Sequence, residues 1–221
     1  MTQCLPPCLL FDLDGTLLDS LPGISFSVSE ACRAAGLPDR EIDLRNFIGP
    51  PIRMIFSCAL HTEDSVLLDE LERRFRESYD TEGWQKTPCF EGAQAALQAM
   101  RDAGHRLFVV SNKPRHISLQ ILGKVGILHL FEQVYTRDSR VPAYASKEEM
   151  LRVLLDEYHL SPSHCVMVGD TMEDVAASAA NQIDTVFMEH GYGELLPTHP
   201  ILLRLRSFSD FLPYLATENR A

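Results

Sequence analysis

Two carboxylates stand directly after the first apolar run of the chain, in the segment FDLDGT. Residues 9–11 form a continuous apolar stretch, which is typical of a short strand buried on both faces of a parallel sheet. Asp12 and Asp14 come next, and residues two apart in an extended chain point in the same direction. The pattern therefore predicts two carboxylates that converge on one point at the end of a strand.

A divalent cation is the expected partner of this pair, because it offsets the repulsion between two like charges. Oxygen ligands suit Mg²⁺, which usually takes one or two carboxylates together with water and substrate phosphate. Gly15 allows a tight turn and a close backbone approach to a ligand, and Thr16 adds a hydroxyl. The alternative is a solvated turn without chemistry, but the complete string at a strand end favours a metal and phosphate site.

Polar residues suited to a phosphate and metal site follow two later apolar runs. Ser111 comes after LFVV, and its hydroxyl and the loop amides, including that of Asn112, can bind phosphoryl oxygens. A serine in a loop is otherwise an ordinary turn residue. Asp170 and Asp174 in VMVGDTMEDV lie four apart across a strand-to-helix turn, where Asp174 could also be a helix cap. Because strand ends meet at one edge of a parallel sheet, these residues are expected near the first acidic pair.

Lys147 lies in the first turn of a predicted helix that opens with the capping-box pattern SKEE. A lysine at this end of a helix is mildly unfavourable with the helix dipole. The position therefore indicates a second purpose, such as neutralising a phosphate and a carboxylate, although a solvated surface lysine is the alternative.

The remaining pattern predicts the elements that must position these side chains. Short apolar runs alternate with helical periodicity, which predicts an α/β fold with a doubly wound parallel sheet. Between residues 20 and 82 only helical patterns occur, so an all-helical insertion is expected. The predicted domains are a core of residues 1–18 and 86–221 and a cap of residues 19–85. Further strands are expected at 107–110, 133–135, 165–168 and, as the last one, 185–188, with helices at 41–47, 52–60, 62–79 (capped by Thr62), 91–103, 114–125, 147–158 and 174–180.

Composition narrows the classes of function. The 221 residues can form one large domain or a core with a smaller cap. The net charge of −11 argues against nonspecific binding to nucleic acid or to anionic membranes. No stretch approaches the roughly 18 apolar residues of a membrane-spanning helix, and the segment before the first strand is too short for a signal peptide. A cytoplasmic protein with reduced cysteines is expected, as a monomer or homodimer.

The string FDLDGT resembles motif I of the haloacid dehalogenase superfamily, and the resemblance covers nearly the whole chain. SNKP at Ser111 is similar to motif II, Lys147 resembles motif III by position, and GDTMED resembles motif IV. Many relatives carry two prolines after the motif III lysine, and SKEEM has neither, so Lys113 and Lys124 stay as alternatives. The insertion is similar to the type 1 helical cap of this superfamily. The segments PCFEGAQAALQAMRDAGH and VVSNKP most resemble phosphoglycolate phosphatases and their near relatives.

The resemblance implies a Rossmann-like core that carries a Mg²⁺-dependent phosphatase acting on a small phosphorylated metabolite, with 2-phosphoglycolate as the first candidate. It implies Asp12 as nucleophile, through an aspartyl-phosphate, and Asp14 as general acid and base. The implied metal-binding residues are Asp12, Asp14 (through its backbone carbonyl), Asp170 and Asp174, and the implied phosphate-binding residues are Gly15, Thr16, Ser111, Asn112 and Lys147.

Two other functions stay open at this point. One is a phosphomutase similar to β-phosphoglucomutase, but such relatives carry an acid where this chain has Gly169, and they carry a cap histidine after the DGT segment. The other is a non-catalytic regulatory protein, which the complete set of acids disfavours. Substrate choice is expected from the cap, where the turn at 48–53 could present Arg53 to the site, and a plain helix connection is the alternative.

Overall fold

The computed structural model describes residues 5–38, 44, 48, 51–196 and 200–215. Contacts within the chain divide it into two compact units, residues 1–18 with 89–221, and residues 19–88. The expected return to the core at residue 86 lies close to the boundary after Pro88. The roles of the units as catalytic core and cap stay predictions.

The first unit is built on a six-stranded sheet with the order β3-β2-β1-β4-β5-β6, in which every neighbouring pair is parallel. The predicted α/β class with a parallel sheet is therefore confirmed. In this order β1 is central, and β2 and β4 pair with its two edges. The strands are β1 (Cys8–Phe11), β2 (Arg106–Ser111), β3 (Gln133–Thr136), β4 (Cys165–Gly169), β5 (Asp184–Met188) and β6 (Leu203–Leu205).

The central strands are apolar on both faces, because the side chains of each strand alternate between two cores. Leu10, Phe108 and Met167 pack with Met150 and Leu154 of a helix on one face. Residues 9, 11, 107, 109, 166 and 168, which alternate with these in sequence, are also fully buried. The first-unit helices that follow the strands are α4 (Ala93–Asp102), α5 (Arg115–Lys124), α6 (Lys147–Glu157) and α7 (Met172–Ala180).

The second unit is helical, and no strand occurs in its described part, residues 19–38, 44, 48 and 51–88. It contains α1 (Leu21–Ala34), α2 (Ile52–Leu60), α3 (Ser65–Thr81) and a short 3-10 helix (Gly83–Lys86). Its own apolar core joins the three helices through residues such as Val28, Phe56 and Leu71. The helix expected at 41–47 lies outside the described residues, apart from Leu44.

Several expected boundaries were wrong. The side chain of Asp64, and not that of Thr62, caps α3 by accepting from two N–H groups of its first turn. Helix α7 begins two residues before Asp174, because Thr171 is its N-cap. β5 is not the last strand, since Leu203–Leu205 adds a parallel sixth strand that is too short to show a period in the sequence. The described cysteines at positions 8, 32, 58, 89 and 165 are free thiols.

Candidate active site

A tight turn after β1 holds Asp12 inside the protein. The Asp12 N–H donates to the Val168 carbonyl at 3.0 Å and so extends the pairing of β1 with β4 by one residue. Gly15 then adopts φ +85°, and the Leu13 carbonyl accepts from the N–H groups of residues 16–18. Asp12 is 6% exposed, and its Oδ1 has no hydrogen-bond partner among the described residues. This oxygen therefore keeps its lone pairs for a cation or a phosphorus atom.

Lys147 reaches the same place from the first turn of α6, a helix capped by the Ser146 hydroxyl. Its Nζ lies 3.2 Å from Asp12 Oδ2 and donates to Asp174 Oδ1 at 2.6 Å. Burial by itself would lower the pKa of Lys147, but attraction to Asp12 and Asp174 outweighs it and raises the pKa above its ordinary value. Lys147 therefore stays charged and neutralises part of the negative charge around Asp12.

Asp170, at the end of β4, is held from two sides. The Thr16 hydroxyl donates to Asp170 Oδ1 at 2.8 Å, and the Tyr192 backbone N–H donates to Oδ2 at 2.8 Å. The residue is fully buried, and burial together with the charge of Asp174 raises its pKa to about 6. The carboxylate is thus fixed in one orientation and gains a favourable partner if a cation is nearby.

Asp174 caps a helix and also contacts Lys147, so its two oxygens have different partners. Its Oδ2 accepts from the Thr171 N–H at 3.0 Å and from the Thr171 hydroxyl at 2.7 Å, in a capping box that begins α7. Its Oδ1 accepts from Lys147. Gly169 packs against this side chain so closely that a Cβ would lie 2.4 Å from Asp174 Cβ. The position before Asp170 has no room for the acid that the mutase alternative requires.

The turn after β2 brings a second lysine to the site. Lys113, which is buried, donates from Nζ to both oxygens of Asp14 at 2.9 and 3.2 Å. The Ser111 hydroxyl accepts from the Lys113 N–H at 3.3 Å, so its own proton can go to a ligand. The side chain of Asn112 donates to both oxygens of Glu173 at 2.9 and 2.8 Å.

The three candidate lysines therefore occupy different places. Lys147 contacts Asp12, Lys113 contacts Asp14, and Lys124 is exposed at the end of α5. The assignment of Lys147 to motif III stays a prediction, and its contact with Asp12 supports it.

Three buried carboxylates fit a divalent cation. Asp12, Asp170 and Asp174 each offer an oxygen, and these atoms all lie within 4.8 Å of one another. Three carboxylates and the single ammonium of Lys147 leave a charge of −2 in a region shielded from water. Burial raises the pKa of Asp12 to about 7, the attraction of Lys147 opposes this rise, and the other acids add to it. The charge, the hard oxygen donors and the unpartnered oxygen of Asp12 match the preferences of Mg²⁺.

Arg53 lies in the second unit, where it is half-buried and forms an ion pair with the exposed Asp69 of α3. Gly49 and Pro50 of the turn before it lie outside the described residues. Its part in substrate recognition stays a prediction.

Sequence reasoning did not identify the segment after β5 as part of the site. Tyr192 contributes its backbone N–H to Asp170, and a Cβ on Gly191 would lie 2.2 Å from Asp170 Cβ. A hydrogen bond from a backbone N–H does not depend on the residue type, so the sequence does not reveal it. The glycines on both sides of Tyr192, in HGYG, were the available clue to a close backbone approach.

The chain matches the family model described as haloacid dehalogenase-like hydrolase over residues 9–188. Among similar curated proteins is a 5'-nucleotidase of Pseudomonas aeruginosa, 32% identical over 190 residues, with 85% of this chain and 84% of that protein covered. A phosphoglycolate phosphatase of Vibrio vulnificus is 30% identical over 200 residues, with 87% of each chain covered.

A third relative has a different name. It is the tyrosine-protein kinase PtkA of Mycobacterium tuberculosis, 36% identical over 189 residues, and the match spans 85% of this chain but only 64% of the kinase. A solved structure of PtkA superposes with a TM-score of 0.81 at 31% identity and covers 96% of this chain and 99% of that chain.

These matches and the geometry confirm three predictions, namely the superfamily, the Rossmann-like core and the enzyme class. The family match runs from β1 to β5 and includes the ends of all strands that bear the acids. None of the helices in the described part of the chain has the length and apolar character needed to cross a bilayer. The family match over residues 9–188 and the two phosphatase-type relatives show that the chain belongs to the haloacid dehalogenase-like hydrolases, as a phosphoric monoester hydrolase.

Proposed function

We propose that the protein is a Mg²⁺-dependent phosphatase that hydrolyses a small phosphorylated metabolite, with 2-phosphoglycolate as the first candidate, through an aspartyl-phosphate on Asp12. The observation that carries this proposal is the state of Asp12. One of its oxygens is next to Lys147, and the other is buried and has no partner among the described residues. A carboxylate held in this way is oriented and has a free electron pair for attack.

Asp12, Asp170 and Asp174 are the side chains that would hold the cation, together with the backbone carbonyl of Asp14. Asp174 already accepts from Lys147 and Thr171, so it suits a place behind a water ligand. When bound, Mg²⁺ supplies positive charge for the phosphoryl oxygens and brings the local charge of −2 to about neutral.

The side chains of the first unit account for the first half of the reaction. Asp12 attacks phosphorus, a new O–P bond forms, and the bond from phosphorus to the alcohol oxygen breaks. Asp14 acts as general acid and gives a proton to the departing oxygen, which can reach it because its side chain is partly exposed. The Lys147 ammonium, 3.2 Å from Asp12, and the Ser111 hydroxyl are the groups that would stabilise the negative charge of the phosphoryl oxygens.

The second half reverses the role of Asp14. Its carboxylate, whose Oδ1 lies 2.9 Å from the Lys113 ammonium, takes a proton from water, and the water oxygen bonds to phosphorus. The O–P bond to Asp12 breaks, inorganic phosphate leaves, and Asp12 is regenerated. The N–H groups of Gly15 and Thr16 are already bonded to carbonyls within the turn, so these two residues would act by holding the turn that carries Asp14.

The test is phosphate release from 2-phosphoglycolate, a nucleoside 5'-monophosphate and other monoesters, with Mg²⁺ and with EDTA. The expected result is metal-dependent turnover that is abolished in Asp12→Asn and kept in the matched control Asp156→Asn, an exposed acid on α6. Two further incubations, with a hexose 1-phosphate and with a nucleoside triphosphate plus a tyrosine peptide, separate mutase and kinase activities. Turnover in either of these alone would replace the phosphatase proposal. The cytoplasmic location and the monomer or homodimer state stay predictions.

A further inference from the structure

The segment His190–Gly–Tyr–Gly193, called here the 190–193 loop, follows β5 and wraps around Asp170. We propose that this loop positions the Asp170 carboxylate for the cation, and that His190 is a positioning residue that acts through Thr16. The inference rests on the proposed Mg²⁺ site and adds to it a set of residues outside the acidic motifs.

The first argument is the way in which Asp170 is bonded. Tyr192 N–H and Thr16 Oγ1 each donate to a different oxygen of the carboxylate, both at 2.8 Å. A carboxylate oxygen can accept at least two hydrogen bonds, so each keeps a lone pair for another partner. The two donors therefore fix the rotation of the carboxylate without filling its capacity to bind a cation.

The second argument is space. A Cβ on Gly191 would lie 2.2 Å from Asp170 Cβ and 2.3 Å from its Oδ2. A Cβ on Gly193 would lie 2.3 Å from the Asp170 carbonyl oxygen. These distances are well below normal contact, so the loop can approach the side chain and the backbone of Asp170 only because both residues are glycine.

The third argument is the role of His190. Its Nε2 lies 3.0 Å from the Thr16 carbonyl oxygen, which can only accept, so Nε2 carries the proton. The ring packs against the rings of Phe90, at 4.1 Å between centroids, and Phe208, at 5.6 Å. His190 thus holds the peptide of Thr16, and the Thr16 hydroxyl holds Asp170. The imidazole is half-buried, and its hydrogen bond and its two ring contacts fix its position beside Thr16.

The test measures metal binding directly, with Mn²⁺ as the probe, because carboxylate sites for Mg²⁺ also accept Mn²⁺. Electron paramagnetic resonance gives the dissociation constant of Mn²⁺ in the full-length protein without substrate. His190→Phe keeps a ring but removes the donor, and His190→Gln keeps a donor near the Nε2 position. Gly191→Ala pushes on the carboxylate itself. The control is Gly123→Ala in α5, where a Cβ meets nothing within 4 Å.

The expected result is Mn²⁺ binding weakened by roughly 10- to 100-fold in Gly191→Ala, which disturbs the direct partners of Asp170, and by about 10-fold in His190→Phe, which acts one residue further away. His190→Gln should recover most of the affinity, and Gly123→Ala should match wild type. In phosphatase assays the Mg²⁺ concentration for half-maximal rate should rise by the same factor, whereas KM for the ester at saturating Mg²⁺ should stay unchanged.

The inference is overturned if folded His190→Phe or folded Gly191→Ala, as judged by circular dichroism, binds Mn²⁺ as wild type does. It is also overturned if His190→Gln binds Mn²⁺ as weakly as His190→Phe does, because the loss of affinity would then come from altered packing and not from the missing hydrogen-bond donor. Failure of wild type itself to bind Mn²⁺ or Mg²⁺ would instead reject the metal site of the proposed function.

Discussion

Replacing Lys147 by methionine is the most informative single perturbation of this site, because it removes a buried charge while nearly preserving side-chain volume. The ammonium lies 3.2 Å from Asp12 and 2.6 Å from Asp174. With an effective dielectric constant of about 20, these distances correspond to about 5 and about 6 kcal/mol of attraction. Most of this attraction is offset in the wild type by the cost of burying the charges.

The variant keeps Asp12, Asp170 and Asp174 but loses their compensating cation, so with all three carboxylates ionised the buried charge would change from −2 to −3. Removing one partner of a buried ion pair typically costs about 3–5 kcal/mol. For a chain of this length such a loss lowers Tm by roughly 10 °C. In EDTA at neutral pH, Lys147→Met is therefore expected to unfold at a clearly lower temperature than wild type. Saturating Mg²⁺ should raise the Tm of the variant more than that of wild type, because the cation now offsets a larger uncompensated charge.

The assay is thermal unfolding followed by circular dichroism, with EDTA and with a Mg²⁺ titration, for wild type, Lys147→Met and the exposed control Lys124→Met. The control should stay within about 0.5 kcal/mol of wild type, as is usual for surface substitutions. The reasoning is refuted if Lys147→Met is within about 1 kcal/mol of wild type in EDTA, or if Mg²⁺ stabilises both proteins equally. Phosphate release should be lost in the variant, since Asp12 is no longer oriented.

Three more predictions concern single features. The pKa of Asp12 is raised from 3.8 to about 7, so the folded metal-free protein binds more protons than the unfolded chain, and this contribution to stability is lost as pH rises through about 7. In EDTA, the Tm of Asp12→Asn should therefore fall less steeply than that of wild type between pH 5 and about 7.5. Parallel curves of Tm against pH for the two proteins would contradict the raised pKa of Asp12. Gly169→Ala, whose Cβ would lie 2.4 Å from the Asp174 side chain, should lower both phosphatase activity and Tm, whereas Gly123→Ala should lower neither. Asp64→Ala removes the cap of α3 and should lower the free energy of unfolding in urea by about 1 kcal/mol. The kcat at saturating Mg²⁺ should stay unchanged, and Asp64→Asn, which keeps an accepting oxygen, should be nearly as stable as wild type.

Local patterns were sufficient to predict the acidic motifs. The first strand, Cys8–Phe11, is apolar throughout, and the Asp-Leu-Asp-Gly string directly after it specifies both the strand end and the turn. The same holds for Cys165–Gly169 and Asp170, where a buried run is followed by glycine and an acid. Burial on both faces of a parallel strand leaves its mark in consecutive residues, so such strands can be recognised without knowledge of their neighbours.

Short or backbone-determined features were not predictable in this way. Leu203–Leu205 is a strand only because its backbone pairs with β5, and three residues cannot display a period. The cap of α3 was placed at Thr62 although Asp64 performs it, because both residue types suit that position and only the backbone decides which one precedes the first helical residue.

By itself the sequence determined the α/β class, the helical insertion, the acidic pair after the first strand and the acids after the fourth strand, because each depends on neighbours along the chain. Only the tertiary structure decided which lysine meets which carboxylate. Lys113 and Lys147 are both plausible from their motifs, but the strand order places the first against Asp14 and the second against Asp12. It also decided that the 190–193 loop touches Asp170, since a backbone N–H and the absence of a Cβ acquire a role only when a distant carboxylate is brought within 3 Å.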